Sequence, residues 1–292
     1  EGGTVSSEGG GANSGTFSAA AGVFLHFASN FTFIDGTHFA GTGSIFFDNN
    51  TSSNFSGTIT NDGNILFNST ANFTDFVLNG NVTLAGNGVV SLIEADRILG
   101  SGIFTNAGHT LEGETSNNGS LGANAIGIVN QASGVINANV AGLVLNVDPN
   151  SGNGLTNLGL MEASNGGILL LDGNGGGGFA NTGGTITALD GSEVQLTNGA
   201  AITGGTLSTA GSGVIRSLNT ATLVSVTNSG AFQVSNNTTV TILGTITNSG
   251  SILLNSTVNL TDLSLGGDVT LNGGGLVTFL NSARILGGGV LT

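Results

Sequence analysis

Apolar residues along this chain come in short alternating pairs. Val82 and Leu84, like Leu263 and Leu265, flank one polar residue each. Alternation with a period of two over three to five residues predicts a short β-strand with one buried face. Between the pairs stand Asn-Gly, Asp-Gly, Ser-Gly and Gly-Gly steps, which accept positive φ and turn the chain. The pattern therefore predicts many short strands joined by tight turns.

The composition of the chain supports an all-β fold. It holds 53 Gly and one Pro in 292 residues, and Gly costs about 1 kcal/mol against Ala inside a helix, so long helices are excluded. The glycines follow no strict triplet, which excludes a collagen-like chain. With 38% hydrophobic and only 7% charged residues, the chain can bury a core and is unlike a disordered protein.

A longer period lies above the alternation. A Gly followed two positions later by an aliphatic residue or Phe recurs about every 20 residues from Gly43 to Gly289. Turns of this kind also occur in hairpins, but a hairpin sandwich has no reason to repeat at a fixed interval, whereas a solenoid has one. We therefore predict an all-β parallel β-helix (β-solenoid) with right-handed coils of about 20 residues. About 14 such coils would form a rod about 70 Å long.

The chain contains an internal duplication. Residues 59–105 match residues 246–292 at an offset of 187, with 25 identities in the first 44 positions. Further upstream, residues 36–46 match residues 204–215 at an offset of about 169. A stack of equivalent layers can gain or lose one layer, so the change in offset predicts the gain or loss of a whole coil. We interpret residues 1–292 as a single continuous β-solenoid that is part of a longer array.

Charge is scarce, and this scarcity fits stacking. Equivalent positions of adjacent coils lie about 4.8 Å apart, where like charges repel and where corner Asn side chains can form amide ladders. Three Arg, no Lys and 17 acidic residues give a net charge of −14, which argues against nucleic acid as a partner. The chain has no Cys for a disulfide or thiolate site. Its longest apolar runs, such as "ILLL" at 168–171, are too short to span a membrane.

Several phrases resemble a known family. "GIVNQASGVINANVAGLVLNV" at 127–147 and "FANTGGTITALDGSEVQLTNG" at 179–199 are similar to the repeats of bacterial secreted β-solenoid proteins, namely autotransporter passengers and filamentous-haemagglutinin-like adhesins. The resemblance implies a bacterial, secreted, extracellular or cell-surface rod that works in adhesion, extracellular matrix or filaments. The family has no shared catalytic residues to carry over, so we expect no catalytic residues and no cofactor.

Parallel β-helices also include enzymes that act on polysaccharides, which need clustered carboxylates or a basic residue with acidic calcium ligands. The best candidates are Glu94 and Asp96 beside Arg97. In the second copy of the repeat, Asn281 and Ala283 replace the two acids while Arg284 persists. Because the Arg keeps its place without the acids, we predict a corner or surface role for it.

Other candidate ligands give no predicted metal site. Glu112 and Glu114, two residues apart, are expected on an exposed strand face with only His109 nearby. His26 and His38 are expected on the outer face or at turns.

Asp75 in "NFTDF" and Asp262 in "NLTDL" are expected in turns, where their carboxylates cap local N–H groups. Calcium binding at this corner stays an open alternative, as does glycosylation of sequons such as "NST" at 68 and 255.

We predict a non-enzymatic structural rod for adhesion, matrix or filament assembly, which assembles by head-to-tail β-stacking. Its expected partners are copies of itself and a surface polysaccharide or a host or matrix surface. Two alternatives stay open: a polysaccharide-active enzyme on a β-helix, and an ice- or surface-binding solenoid with ranks of Thr, suggested by "TIT" at 58–60, 185–187 and 245–247.

Overall fold

The computed structural model describes residues 3–292 and forms a three-faced parallel β-solenoid. Every strand pairing between coils is parallel, and each strand pairs with the equivalent strand of the next coil, as in the register of Thr4 with Phe24 and of Phe24 with Ser44. Among the described residues, one short 3-10 helix, Asn174–Gly176, is the only helical element. The predicted parallel β-solenoid is confirmed.

The strands fall into three columns, which we call faces A, B and C in the order in which the chain meets them. Face A contains the strands Thr4–Ser7, Phe24–Phe27, Ser44–Asp48, Asn64–Asn68, Val89–Leu92, Thr110–Gly113, Val135–Ala138, Leu160–Ala163, Thr185–Ala188, Thr206–Thr209 and Thr227–Asn228. Face B contains the strands Gly11–Asn13, Phe31–Phe33, Asp96–Ser101, Ser120–Leu121, Val144–Val147, Ile168–Asp172, Glu193–Thr197, Val214–Ser217, Ala231–Val234, Ser251–Leu254 and Leu276–Phe279. Face C contains the strands Thr16–Ser18, His38–Ala40, Ile103–Asn106, Gly127–Asn130, Leu155–Asn157, Phe179–Ala180, Ala200–Thr203, Ala221–Val224 and Ala283–Gly287.

Four long strands turn a corner and contribute to two faces. Ser52–Asn61 and Thr74–Ala85 pass from face B to face C, and Thr239–Asn248 and Thr261–Asn272 pass from face C to face A. The bend in the first of them is at Gly57, whose φ of 71° lies in the left-handed region that favours glycine.

The stack has about 13 coils of about 22 residues, close to the predicted 14 coils and 20 residues. Individual coils vary in length: Ile215 pairs with Phe232, 17 residues later, whereas Ile128 pairs with Leu155, 27 residues later. The strands keep their register because the extra residues are placed in the turns. The right-handed winding and the longer array stay predictions.

The core is a column of inward side chains that alternate with outward ones, as in Ile168–Asp172, where Leu169 and Leu171 are fully buried. In the first coils this column is made of phenylalanines. The rings of Phe47 and Phe67 stack with centroids 4.6 Å apart, and the rings of Phe33 and Phe55 stack with centroids 5.0 Å apart. Later coils fill the same space with Ile, Leu and Val, so one continuous core runs along the axis.

The predicted amide ladder is present at the corner between faces C and A. The Nδ2 of Asn106 donates to the Oδ1 of Asn130 (2.9 Å), Asn130 donates in the same way to Asn157 (2.8 Å), and Asn157 donates to Asn181 (2.7 Å). All four side chains are fully buried. The ladder therefore joins four consecutive coils through amide hydrogen bonds within the core.

The two copies of the duplication lie on different faces. Asn64–Asn68 is on face A, whereas its sequence equivalent Ser251–Leu254 is on face B. Asp75 is likewise on face B, whereas Asp262 is on face C. The second copy is therefore shifted from the first by a whole number of coils plus one face.

The structure also accounts for the change in offset. Ser44–Asp48 matches residues 213–217 at an offset of 169 and residues 231–235 at an offset of 187. The strands at these two places, Val214–Ser217 and Ala231–Val234, are consecutive strands of face B. The difference between the offsets is thus one whole coil.

Candidate functional site

The clearest built surface feature is an ion pair between adjacent coils on face B. Asp75 and Arg97 lie directly opposite each other in the parallel register. The Nε of Arg97 donates to the Oδ1 of Asp75 at 2.7 Å, and its Nη2 donates to the Oδ2 at 2.9 Å. Bidentate pairing of this kind is among the stronger and more directional polar contacts in proteins. We call this pair the first clamp.

The second copy of the repeat builds the same pair on face C. The Nε and Nη2 of Arg284 donate to the two carboxylate oxygens of Asp262 at 2.8 and 2.9 Å. These hydrogen bonds, together with the charge of Asp262, raise the pKa of Arg284. We call this pair the second clamp.

The prediction that Asp75 and Asp262 cap local N–H groups in turns is wrong. Both residues lie within strands, and their carboxylates bind an Arg of the next coil.

Glu94, Asp96 and Arg97 are close in sequence, but the structure does not bring their side chains together as a catalytic group. Asp96 is fully buried and accepts hydrogen bonds from the amides of Ile93 (2.7 Å) and Ser69 (3.1 Å). Burial raises the pKa of Asp96 to about 8. Glu94 turns the corner with a φ of 55°, and Arg97 extends toward Asp75. Arg97 thus has the predicted surface position, with a partner that its sequence neighbours did not indicate.

The exposed strand face expected for Glu114 beside His109 is also wrong. His109 is fully buried, its Nε2 lies 2.8 Å from the carbonyl oxygen of Asn61, and desolvation lowers its pKa. Glu114 is buried as well, and its carboxylate accepts hydrogen bonds from the amides of Glu94 (2.6 Å) and Ser116 (2.7 Å). Both side chains hold the corner backbone in place.

Glu112 points outward and accepts a hydrogen bond from the Nδ2 of Asn139 at 3.1 Å. Within residues 3–292, no three His, Asp or Glu side chains come together as a metal site.

His26 and His38 lie on the outer surface, as predicted. The Nδ1 of His26 is 2.7 Å from Asp48, and its ring stacks on Phe46 with centroids 4.7 Å apart. The Nε2 of His38 is 3.0 Å from Asp62. Like the clamps, these pairs join adjacent coils.

A fifth pair, between Glu193 and Arg216, completes the set of ion pairs between coils. Sequence reasoning missed these pairs. The available signal was a spacing of opposite charges close to one coil, such as the 22 residues from Asp75 to Arg97 and from Asp262 to Arg284.

A groove of about 510 Å³ lies beside the first clamp, at the corner between faces A and B. Phe73 on its wall is 40% exposed, and the guanidinium carbon of Arg97 sits 3.6 Å from the centroid of its ring. The rest of the lining is rich in amide side chains. They are those of Asn30, Asn50, Asn72, Asn117 and Asn118.

No protein-family model matches this chain, and no curated protein does. Among solved structures, it is similar to the crystal structure of a TibC-catalysed, hyper-glycosylated fragment of TibA. The sequence identity is 15%, the match covers 98% of this chain and 100% of that chain, and the TM-score is 0.32. A likeness of this degree carries no argument about activity or binding, so the fold rests on the strand pairings described above. In residues 3–292, no helix has the length and apolar character to cross a membrane.

Proposed function

We propose that this chain is a structural rod of a secreted or cell-surface protein and that it works in adhesion, matrix or filament assembly. One observation supports this role above the others: the side chains that could carry chemistry are used to join coils. Five ion pairs connect adjacent coils, and they include all three Arg of the chain. Buried Asn amides connect further coils.

The stacking gives the rod its length and stiffness. About 13 coils at a rise of about 4.8 Å per coil make a body about 60 Å long. Each coil contacts mainly its neighbours, so the body can extend without a larger core. Such a rod can hold a surface feature at a fixed distance from its attachment point, which is what adhesion and matrix building require.

Negative-stain electron microscopy and small-angle X-ray scattering of the purified chain test this shape. We expect elongated particles about 60 Å long. Compact particles with no long axis would contradict the proposal. Incubation with neutral and acidic polysaccharides tests the non-enzymatic role, and the release of shorter saccharides would show an enzyme instead.

Filament assembly is the second part of the proposal. Parallel strand pairing is the same operation between two coils of one chain and between coils of two chains, so head-to-tail stacking needs no additional binding motif. Light scattering measured against protein concentration tests it. Growth of the average mass with concentration supports filament assembly, whereas a constant monomer mass at every concentration removes it.

The Thr segments named for the ice-binding alternative do not share one face. Residues 58–60 lie on face C, whereas residues 185–187 and 245–247 lie on face A. A flat lattice match needs its Thr ranks on one surface, so this placement favours the structural rod.

A further inference from the structure

The groove beside the first clamp contains amides that no part of the fold uses. The side chains of Asn50, Asn72, Asn117 and Asn118 make no hydrogen bond within residues 3–292. Elsewhere the corner asparagines are engaged. Asn49, for example, accepts hydrogen bonds from the backbone amides of Thr70, Ala71 and Asn72 at 2.9 to 3.3 Å.

Backbone conformation explains only part of this set. Asn50 and Asn118 have φ values of 67° and 64°, in the left-handed region where Asn is favoured over most residues, so the corner itself calls for Asn at both positions. Asn72 and Asn117 do not have positive φ. Their amides are available for a ligand, and no conformational requirement accounts for them.

We propose that this groove binds a neutral, linear polysaccharide. The proposal rests on the proposed role in adhesion and names the ligand class for it. Free amides offer both donors and acceptors, which match the hydroxyl groups of a sugar. Phe73 and the guanidinium of Arg97 form an apolar, planar wall against which the C–H face of a sugar ring packs.

Charge selects a neutral ligand over an acidic one. The only cationic side chain on the groove wall is Arg97, and the carboxylate of Asp75 already neutralises it in the first clamp. The chain as a whole carries a net charge of −14. A polyanion would therefore meet repulsion without a free cation in the groove to offset it.

The geometry selects a chain over a single sugar. Residues from five consecutive coils line the groove, from the corner at Asn30 to the corner at Asn117, so it runs along the rod axis. Equivalent corner positions repeat at about 4.8 Å. A linear polysaccharide, whose rings repeat at a comparable spacing, can place successive rings against successive coils.

The duplication supplies a matched control. The second clamp keeps Asp262 and Arg284, and Asn259 is retained at the position of Asn72, but Leu260 replaces Phe73. Phe73→Leu therefore gives the first site the residue of the second. Asp262→Asn breaks the second clamp and leaves the groove intact.

Affinity gel electrophoresis with the full chain is the test. The gels would contain β-glucan, α-mannan or galactan as neutral probes, and polygalacturonate or alginate as acidic probes. We expect at least one neutral polysaccharide to retard the protein, at both low and high salt. The variants Phe73→Leu, Asn72→Ala and Asn117→Ala should each weaken that retardation, by about tenfold for the aromatic residue. Asp262→Asn should leave it unchanged.

Three results would overturn the proposal: no retardation by any neutral probe, retardation that the groove variants leave unchanged, or retardation only by acidic probes that salt abolishes. All of the replaced side chains except Asp262 are exposed, and circular dichroism would confirm that each variant is folded. Electron microscopy separates the two proposals. Rods that do not bind would refute this site alone, whereas compact particles would refute the structural role itself.

Discussion

Replacing Asn130 with Ala should be one of the most destabilising single changes in this chain. Its side chain accepts a hydrogen bond from Asn106 (2.9 Å) and donates to the Oδ1 of Asn157 (2.8 Å) and to the carbonyl oxygens of Leu160 (3.1 Å) and Gly134 (3.2 Å). These four contacts connect three consecutive coils. The side chain is fully buried, so water does not replace the lost partners.

The magnitude follows from the groups left without a partner. Asn106 keeps a second bond, to the carbonyl oxygen of His109 at 3.0 Å. The Oδ1 of Asn157 has no other hydrogen bond, and the Leu160 carbonyl loses its bond from the side chain. Each buried polar group left unpaired costs about 1–3 kcal/mol, so Asn130→Ala should lower the free energy of unfolding by about 2–6 kcal/mol. That is a large part of the about 5–15 kcal/mol that stabilises a typical protein.

Urea unfolding followed by far-ultraviolet circular dichroism measures this loss. Gln131→Ala is the matched control, because Gln131 is the next residue, is exposed and makes no side-chain hydrogen bond. The control should change the free energy of unfolding by less than about 0.5 kcal/mol. If the two variants were equally stable, the amide ladder would contribute nothing, and the argument that buried amides hold the coils together would fail.

Three further predictions use other parts of the structure. Burial raises the pKa of Asp96 to about 8 and of Asp148 to about 6, from 3.8, so the native state binds more protons than the unfolded state between those values. The melting temperature should therefore fall as pH rises from 4 to 8; Asp96→Asn should flatten that fall, and an unchanged pH profile would contradict the cause. Deletion of residues 218–234, one coil in register, should leave a folded rod about 5 Å shorter by X-ray scattering. Deletion of residues 231–234 alone, which removes one strand and its two buried side chains, should cost more stability than the larger deletion, and the reverse order would refute the layer description. Arg97→Lys should lose the bidentate geometry but less than about 1 kcal/mol in urea unfolding, because the pair is partly exposed; a larger loss would mean that the clamp holds the coils together.

The parallel solenoid could be predicted because its requirements are local. Alternation such as that of Val82 and Leu84 specifies a strand with one buried face, and a glycine or asparagine at each corner specifies the turn. Repetition at about one coil then requires the strands to stack. The amide ladder follows from the same logic, because Asn106 and Asn130 end equivalent strands of adjacent coils.

The ion pairs could not be predicted in the same way, because they depend on the length of each coil. A coil has between 17 and 27 residues, so a difference of one residue decides which side chains meet. Sequence proximity placed Arg97 with Glu94 and Asp96, but the next coil placed it against Asp75. The position of His109 was missed for a related reason. Its burial depends on a corner contact with Asn61, 48 residues earlier in the chain.

The duplication shows how little a coil depends on the face that it occupies. Closely related sequences fold at residues 64–68 on face A and at residues 251–254 on face B, and each copy forms its clamp between strands 22 residues apart. What the sequence specifies is therefore a strand, a turn and the distance to the next strand, while the face follows from the sum of the coil lengths before it. Because that sum differs by one face between the copies, the two clamps point in different directions from the rod. A single flat ligand could not contact both at once, which is consistent with separate surface sites along a rod and inconsistent with one continuous binding plane.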